Sequence, residues 1–435
     1  MKNKFVKSSI YVIFLGLIAK ILSMFVKIYT TRSYGIELMS IYSLVNPLMI
    51  FIISLVQLSL PLSISKLVAQ NKDKKKSYLI SGYIISLSLS LLTMIILIVF
   101  SKYIAISIFK NENTKHSIMA IGVYAPFVTM TSLYKGYLIG NEKIEITSFS
   151  QIIEEIARLS FIYLTTTYFI NKNTSYASMG IIVGMWIGEI FQMLSLIITN
   201  YGTNFKINKI IKNIFKNETF EYKELLNISL PITLSRLITS FTFSLEPIIY
   251  TNVMINNNFT SEYITKSYGI LQTYVNPILF LPSFFISSLS LILLPTLSKL
   301  YHQKKYKQSK ELFIKSILIS IILGFFASLF IYFFSSQISL FLYKTNIGDK
   351  YIKLLAFPYI LYYIESILNT TLHCLNKEKI TLFTSIFTSI FRVILLYILI
   401  PILGVLGIEI AMLLSVVIVI LVDLFFIRRY LFMHI

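Results

Sequence analysis

The chain has 435 residues, 56% hydrophobic and 13% charged, about half the charged fraction of an ordinary soluble domain. Apolar runs of about 20 residues recur along the whole length, which reads as a series of bilayer-spanning helices. A β-barrel would instead alternate polarity over strands of about ten residues. The formal net charge of +20 is no sign of nucleic-acid binding, because the lysines gather in alternate short loops, as the positive-inside rule expects.

The single cysteine, Cys374, excludes an internal disulfide and a cysteine-based metal site. The four histidines show no metal-ligand spacing. No phosphate-cradling lysine loop, serine elbow or HExxH pattern is present. No catalytic residue, metal site or resident cofactor is expected. Energy for transport would come from a Na+ or H+ gradient, the membrane potential or the substrate's own concentration difference.

In chain order the hydropathy predicts twelve spans, near 8–31, 40–63, 78–100, 117–140, 147–170, 177–199, 225–250, 268–296, 312–335, 351–374, 380–400 and 403–427. The basic start with Lys2, Lys4 and Lys7 lacks a small-residue cleavage site after its apolar run, so it reads as a retained first helix. Of the 39 Lys and Arg, 25 fall on the side of the N-terminus, 9 on the other and 5 deep in spans. Both termini are therefore expected to be cytoplasmic. The longest polar connection carries Lys206, Lys209, Lys212, Lys216 and Lys223. It divides an N-terminal six-helix bundle at 1–200, a basic cytoplasmic linker at 201–224 and a C-terminal six-helix bundle at 225–435.

The halves resemble each other. Tyr34-Gly35-Ile36 recurs as Tyr268-Gly269-Ile270, Val45-Asn46-Pro47 as Val275-Asn276-Pro277, and Ile156-Ala157-Arg158 as Ile390-Phe391-Arg392, at offsets between 230 and 236 residues. Six spans per half return the chain to the same side, which gives parallel repeats. The expected fold is an all-α polytopic membrane protein with twelve transmembrane helices in two parallel six-helix repeats around a central cavity. Prolines sit at matching places in spans 2 and 8 (Pro47 and Pro277), where they either bend during alternating access or act as static kinks.

The first span carries Lys20 and Lys27, two helical turns apart and on one face with Ser23 and Met24 between them. An ammonium at mid-bilayer costs about 2.5–3.5 kcal/mol on insertion scales. The pair either faces a watery cavity or snorkels toward the interface. Span 5 places Gln151, Glu154 and Arg158 on one face, with Glu154 and Arg158 spaced to pair at i, i+4. A structural pair and a substrate or ion role are both open there. Span 7 carries Arg236 and Glu246, about 15 Å apart along the axis and too far to pair with each other. Arg236 suits phosphate oxygens, which a guanidinium grips in a fork. Glu246 is its charge balance, a partner for Lys20 or Lys27, or an ion-coupling group. Glu189, Arg392 and Glu409 lie in spans 6, 11 and 12, and the match of Arg392 with Arg158 favours an architectural role for both. Glu365, one turn before Asn369, reads as a cation ligand or a packing contact. Asp423 is expected at the interface near the end of the last span.

Cations on spans 1 and 7 favour an anionic substrate, with pyrophosphate the obvious case. Four stretches, IAKILSMFVKIYTTRSYG with the following IYSLVNPLMIFIISLVQLSLPLSISKLVAQNK, YKGYLIGNEKIEITSFSQIIEEIARLSFIYL and LPITLSRLITSFTFSLEPII, resemble the stage V sporulation protein B-like family. That family belongs to the polysaccharide-exporter group with the MurJ-type lipid II flippases, in a superfamily that also holds multidrug antiporters. The resemblance implies a bacterial cytoplasmic-membrane flippase for undecaprenyl-pyrophosphate-linked oligosaccharides or cell-wall precursors. By position, Lys20, Lys27, Arg32 and Arg236 would contact the head group, and Gln151, Glu154, Arg158, Glu246 and Glu365 would line the cavity or couple an ion. The implied partners are membrane lipids, the lipid-linked sugar and envelope-synthesis enzymes. Lipid II flippases of this group usually carry two further C-terminal helices, so a different lipid-linked sugar is open here. Two other readings stand beside this one: a cation-coupled multidrug antiporter, which would want acidic groups dominating the N-terminal cavity, and a non-transporting envelope-synthesis scaffold.

Overall fold

A computed structural model describes residues 2–71, 73–201, 221–375 and 377–432 of the chain. The linker lysines Lys206, Lys209, Lys212 and Lys216 lie outside the described residues. The fold is all-α, with no strand among the described residues. Its helices in chain order are α1 (Lys2–Gln57), α2 (Leu60–Gln70), α3 (Lys75–Val99), α4 (Lys115–Gly140), α5 (Ile144–Lys172), α6 (Thr174–Tyr201) and α7 (Tyr222–Asn256), then α8 (Ser261–Ile270), α9 (Asn276–Leu279), α10 (Ser283–His302), α11 (Tyr306–Tyr343), α12 (Asp349–Leu355), α13 (Ile360–Cys374), α14 (Glu378–Leu403) and α15 (Leu406–Ile427).

Among the described residues, eight helical stretches are long and apolar enough to cross a bilayer, and α12 with α13, bent by 53° at their break, make a ninth. Three features reconcile this with twelve passes. The stretch Phe14–Gln70 has 57 residues, about 85 Å of helix, which is more than two bilayer cores. Gly35 breaks it at φ 71°, ψ −179°, a conformation that essentially only glycine adopts. Helix α5 carries Glu154, Glu155 and Arg158 at its middle, and these charges interrupt its apolar run. Finally, α8, α9 and α10 form one interrupted span, with a π-helical turn at Leu271–Val275 and a second break at Phe280–Pro282.

The repeat preserves residues more closely than backbone. Pro47 sits inside continuous α1, whereas its counterpart Pro277 opens α9 directly after the π turn. Gly269, counterpart of Gly35, stays inside α8. The corner into α8 is made instead by Asn257–Thr260, where the Thr260 hydroxyl accepts from the Tyr263 backbone N–H at 3.3 Å and caps the helix.

The chain packs as two compact units, Met1–Ser240 and Phe241–Ile435, and the division falls inside α7. The first turns of α7, placed by the sequence in the second half, belong to the first unit. Leu225 is fully buried there in a cluster with Leu60, Ile64, Tyr78, Leu138 and Leu196. A polar clasp surrounds it. Lys74, in the turn before α3, meets Glu221 at 2.8 Å and Glu224 at 3.7 Å. Tyr78 donates to Glu224 at 2.6 Å, and the Glu221 N–H donates to the Ser81 hydroxyl at 2.9 Å. The hydrogen bond to Glu221 holds the Lys74 amine above its usual range.

Within the first unit α5 and α6 lie very close. The cause is a run of glycines four residues apart on α6, Gly180, Gly184 and Gly188, a small-residue stripe that lets backbones approach. A methyl group at Gly180 would meet the Phe169 ring at 2.7 Å, one at Gly184 would meet Ile162 at 3.0 Å, and one at Gly188 would meet Glu154 at 3.2 Å. Gly184→Leu should therefore force the helices apart and destabilise the protein by about 1–3 kcal/mol, measured as a lower unfolding temperature in detergent than for an Ile198→Leu control at an exposed position of the same helix.

Candidate functional site

The first unit collects charge around α5. Arg158 Nη2 lies 2.6 Å from Glu154 Oε1, and Arg158 Nη1 lies 3.3 Å from Glu155 Oε2. Helical spacing of three and four residues brings both carboxylates to one guanidinium. Sequence reasoning paired Glu154 with Arg158 and missed Glu155. The adjacent glutamates in the motif EEIAR were the available signal, since i+3 and i+4 both reach the arginine. Gly188 of α6 sits directly on Glu154 and Arg158, so the glycine stripe fixes where this cluster lies. Gln151, one turn earlier on α5, is exposed.

Lys20 and Lys27 on α1 are both exposed. Ser23, between them on the same face, reaches Glu155. Nearby on α1, Val26, Tyr34, Leu38 and Met39 pack against Ile162 of α5 and Ala177 and Ile181 of α6. The lysine face thus borders the α5 cluster. Two carboxylates against one arginine leave that cluster one charge negative, and the two lysines make the combined wall one charge positive. Arg32 and Arg236 are exposed in the same unit.

The second unit builds its charges differently. Glu246, only 1% exposed, is paired with Arg392 at 2.5 Å. The partner of Glu246 is thus the repeat counterpart of Arg158 and neither Lys20 nor Lys27. Glu365 accepts from Asn369 at 3.4 Å, within its own helix α13. Asp423, expected at the interface, is fully buried. It lies within electrostatic reach of Glu365, because α15 packs against α13 along this stretch.

Around the broken helices sits a network that the sequence did not single out. Tyr359 donates to Glu409 Oε2 at 2.6 Å, and Asn276 Nδ2 donates to Glu409 Oε1 at 3.0 Å. The Tyr359 hydroxyl also lies 3.1 Å from Asn276 Oδ1. Tyr363 donates to the Leu279 carbonyl at 2.6 Å. Irregular backbone survives at membrane depth only where protein satisfies its polar groups; Tyr363 does so for the Leu279 carbonyl, while Tyr359, Asn276 and Glu409 satisfy one another beside it. In the first unit the counterpart of Asn276, Asn46, accepts from Tyr42 at 3.2 Å, within one continuous helix. The repeat triplet VNP was therefore a signal for a buried asparagine, but its glutamate and tyrosine partners came from distant spans.

Breaking one partner of a buried ion pair strands the other charge and typically costs about 3–5 kcal/mol, whereas replacing both with apolar residues of similar volume is often neutral. Glu246→Ala should accordingly lower thermal stability far more than the double change Glu246→Leu with Arg392→Met. Thermal unfolding of the purified variants measures the difference.

The chain's known relatives fit this construction. It is 26% identical over 426 residues to stage V sporulation protein B of Bacillus subtilis (strain 168), covering 96% of this chain and 82% of that protein. Its fold matches an inward-facing multidrug resistance MATE family transporter of the MOP superfamily with a TM-score of 0.76 at 15% identity, over 97% of this chain and 98% of that one. It also matches the lipid II flippase MurJ in an inward closed conformation, with a TM-score of 0.71 at 18% identity, over 95% and 87% of the two chains. The MatE family matches residues 247–398. The polysaccharide biosynthesis protein family matches residues 5–301, more than half the length, and the chain belongs to that family.

Proposed function

We propose that this protein is a flippase that carries an anionic, undecaprenyl-pyrophosphate-linked oligosaccharide or cell-wall precursor from the cytoplasmic to the outer leaflet by alternating access. The observation that carries this reading is the charge of the first unit. Its mid-span carboxylates Glu154 and Glu155 are engaged by Arg158, and the unit presents the cations Lys20, Lys27, Arg32 and Arg236 at its surface. A cation that protein does not cover at bilayer depth faces either lipid or water, and lipid costs about 2.5–3.5 kcal/mol per charge. A water-filled path with cationic walls meets that cost and suits a pyrophosphate, whose oxygens take charge-assisted bonds from lysine and forked bonds from arginine. The lipid tail would stay in the bilayer beside the path. The excess of lysine in alternate loops supports cytoplasmic termini in a bacterial cytoplasmic membrane.

The relatives support the same direction, since one structural neighbour is a lipid II flippase and the matched family is named for polysaccharide biosynthesis. A second reading, a cation-coupled multidrug antiporter, is favoured by the likeness to the multidrug MATE transporter and by the MatE match over residues 247–398. It draws on carboxylates without an ion pair; Glu154, Glu155 and Glu246 each contact an arginine, which leaves the buried Glu189 and the half-buried Glu365 for that role.

The test is a reconstituted assay that compares lipid-pyrophosphate-sugar donors with cationic dyes. Flipping of the lipid-linked sugar is expected; dye movement alone, driven by an ion gradient, would refute the flippase. Lys20→Ala and Lys27→Ala should each slow flipping by roughly tenfold or more, the equivalent of one charge-assisted contact, while insertion and expression stay normal. Unimpaired flipping in both variants would return the lysines to snorkelling.

A further inference from the structure

One side of α6 carries a row of polar atoms that are buried and have no hydrogen-bond partner among the described residues. They are Trp186 Nε1, Glu189 Oε2 and Gln192 Nε2. Spacing of three residues keeps them on one side of the helix. That side faces α4. The Trp186 ring lies 5.2 Å from the Phe127 ring, Tyr124 OH reaches Glu189 Oε1 at 3.4 Å, and Lys135 donates to Gln192 Oε1 at 3.0 Å. The Thr131 hydroxyl lies 3.4 Å from the Glu189 backbone carbonyl. Glu189 is 5% exposed and Gln192 fully buried.

Buried polar atoms without partners are few in native proteins, and each costs about 1–3 kcal/mol. Here the row alternates: an indole N–H donor, a carboxylate acceptor, an amide donor. Such a lining suits ordered water, which donates to the carboxylate and accepts from both N–H groups. The charged and titratable groups around Glu189 are Tyr124 and Lys135 from α4 and Glu154 and Arg158 from α5, with Tyr42 of α1 beyond Tyr124. Arg158 is occupied by Glu154 and Glu155, and Lys135 by Gln192. Among the described residues Glu189 thus forms no ion pair, unlike Glu154, Glu155 and Glu246. A fixed anion in that position is costly, and a carboxyl that takes up and releases a proton avoids most of the cost.

We propose that Glu189 is a proton-binding group served by water held between Trp186 and Gln192 in the seam of α4 and α6. The seam stays polar toward both ends. Ser117 with Ser178 and His116 with Ser175 meet at 2.7 Å on one side. Asn200 donates to Tyr134 at 3.0 Å, and Lys143 donates to Asn200 at 2.6 Å, on the other. Glu189 is not among the groups that would meet the substrate. Only the coupling of that proton to a transport cycle rests on the flippase reading.

Trp186 is the only tryptophan in the chain, so its fluorescence reports on this seam alone. Emission of the purified full-length protein in detergent micelles is recorded across pH. A carboxylate formed near the pyrrole nitrogen stabilises the indole excited state, so deprotonation of Glu189 shifts emission to the red. The expected result is a one-proton transition about two pH units wide, absent in Glu189→Gln and retained in the exposed control Glu262→Gln. Lys135→Gln should displace the midpoint, which keeps the test decisive if Glu189→Gln fails to fold. Emission independent of pH, a transition unchanged in Glu189→Gln, or a midpoint unmoved by Lys135→Gln would each overturn the proposal. No substrate is added, so a failed flipping assay would leave this result intact.

Discussion

The cost of carrying charge into an apolar layer governs the rest of this structure. Every arginine and carboxylate at mid-span has to be paired, hydrated or neutralised, because an isolated ion there is unaffordable by the few kcal/mol that hold a protein folded. The two repeat-related arginines satisfy the rule by different routes. Arg158 takes two carboxylates from its own helix, so its cluster forms as soon as α5 does. Arg392 takes Glu246 from α7, so its pair exists only once α7 and α14 have packed. The first arrangement is local and the second tertiary, although sequence places the arginines at equivalent positions.

Asymmetry of the same kind runs through the backbone. The first unit keeps a continuous helix around Pro47 and brings α5 and α6 together with the glycine stripe of α6. The second unit breaks two of its spans, caps the Leu279 carbonyl with Tyr363 and ties the broken stretches together through the Asn276, Tyr359 and Glu409 side chains. A gene duplication preserves a pattern of residues, but packing partners decide whether a proline ends a helix. Pro47 has a continuous helix around it, while Pro277 stands between a π turn and a second break that carries Pro282.

Much of this was legible in the sequence. Apolar runs gave the helical class, and the offsets of the VNP and Arg158/Arg392 motifs exposed the repeat. The i, i+4 spacing of Glu154 and Arg158 correctly announced a pair. What sequence did not reveal was contact across helices. Glu246 needed Arg392, 146 positions later, and Glu409 needed Asn276 and Tyr359 from two other spans. Lys135 lies near the end of its span in sequence, yet it sits within α4 with its amine on Gln192. Asp423 was misplaced because proximity to a helix end in sequence says nothing about what covers it. The glycine stripe at 180, 184 and 188 was readable and went unread because hydropathy, which found the spans, is blind to size.

The clasp at the start of α7 has a consequence for how the polypeptide tolerates interruption. Lys74, Tyr78 and Ser81 grip Glu221 and Glu224 on the far side of the linker, and Leu225 is sunk into the core between Leu60 and Leu196. The covalent connection through 202–220 is therefore mechanically redundant with a noncovalent one. A nick in that stretch would leave the seventh helix rooted where it was, and the two fragments would travel as one particle.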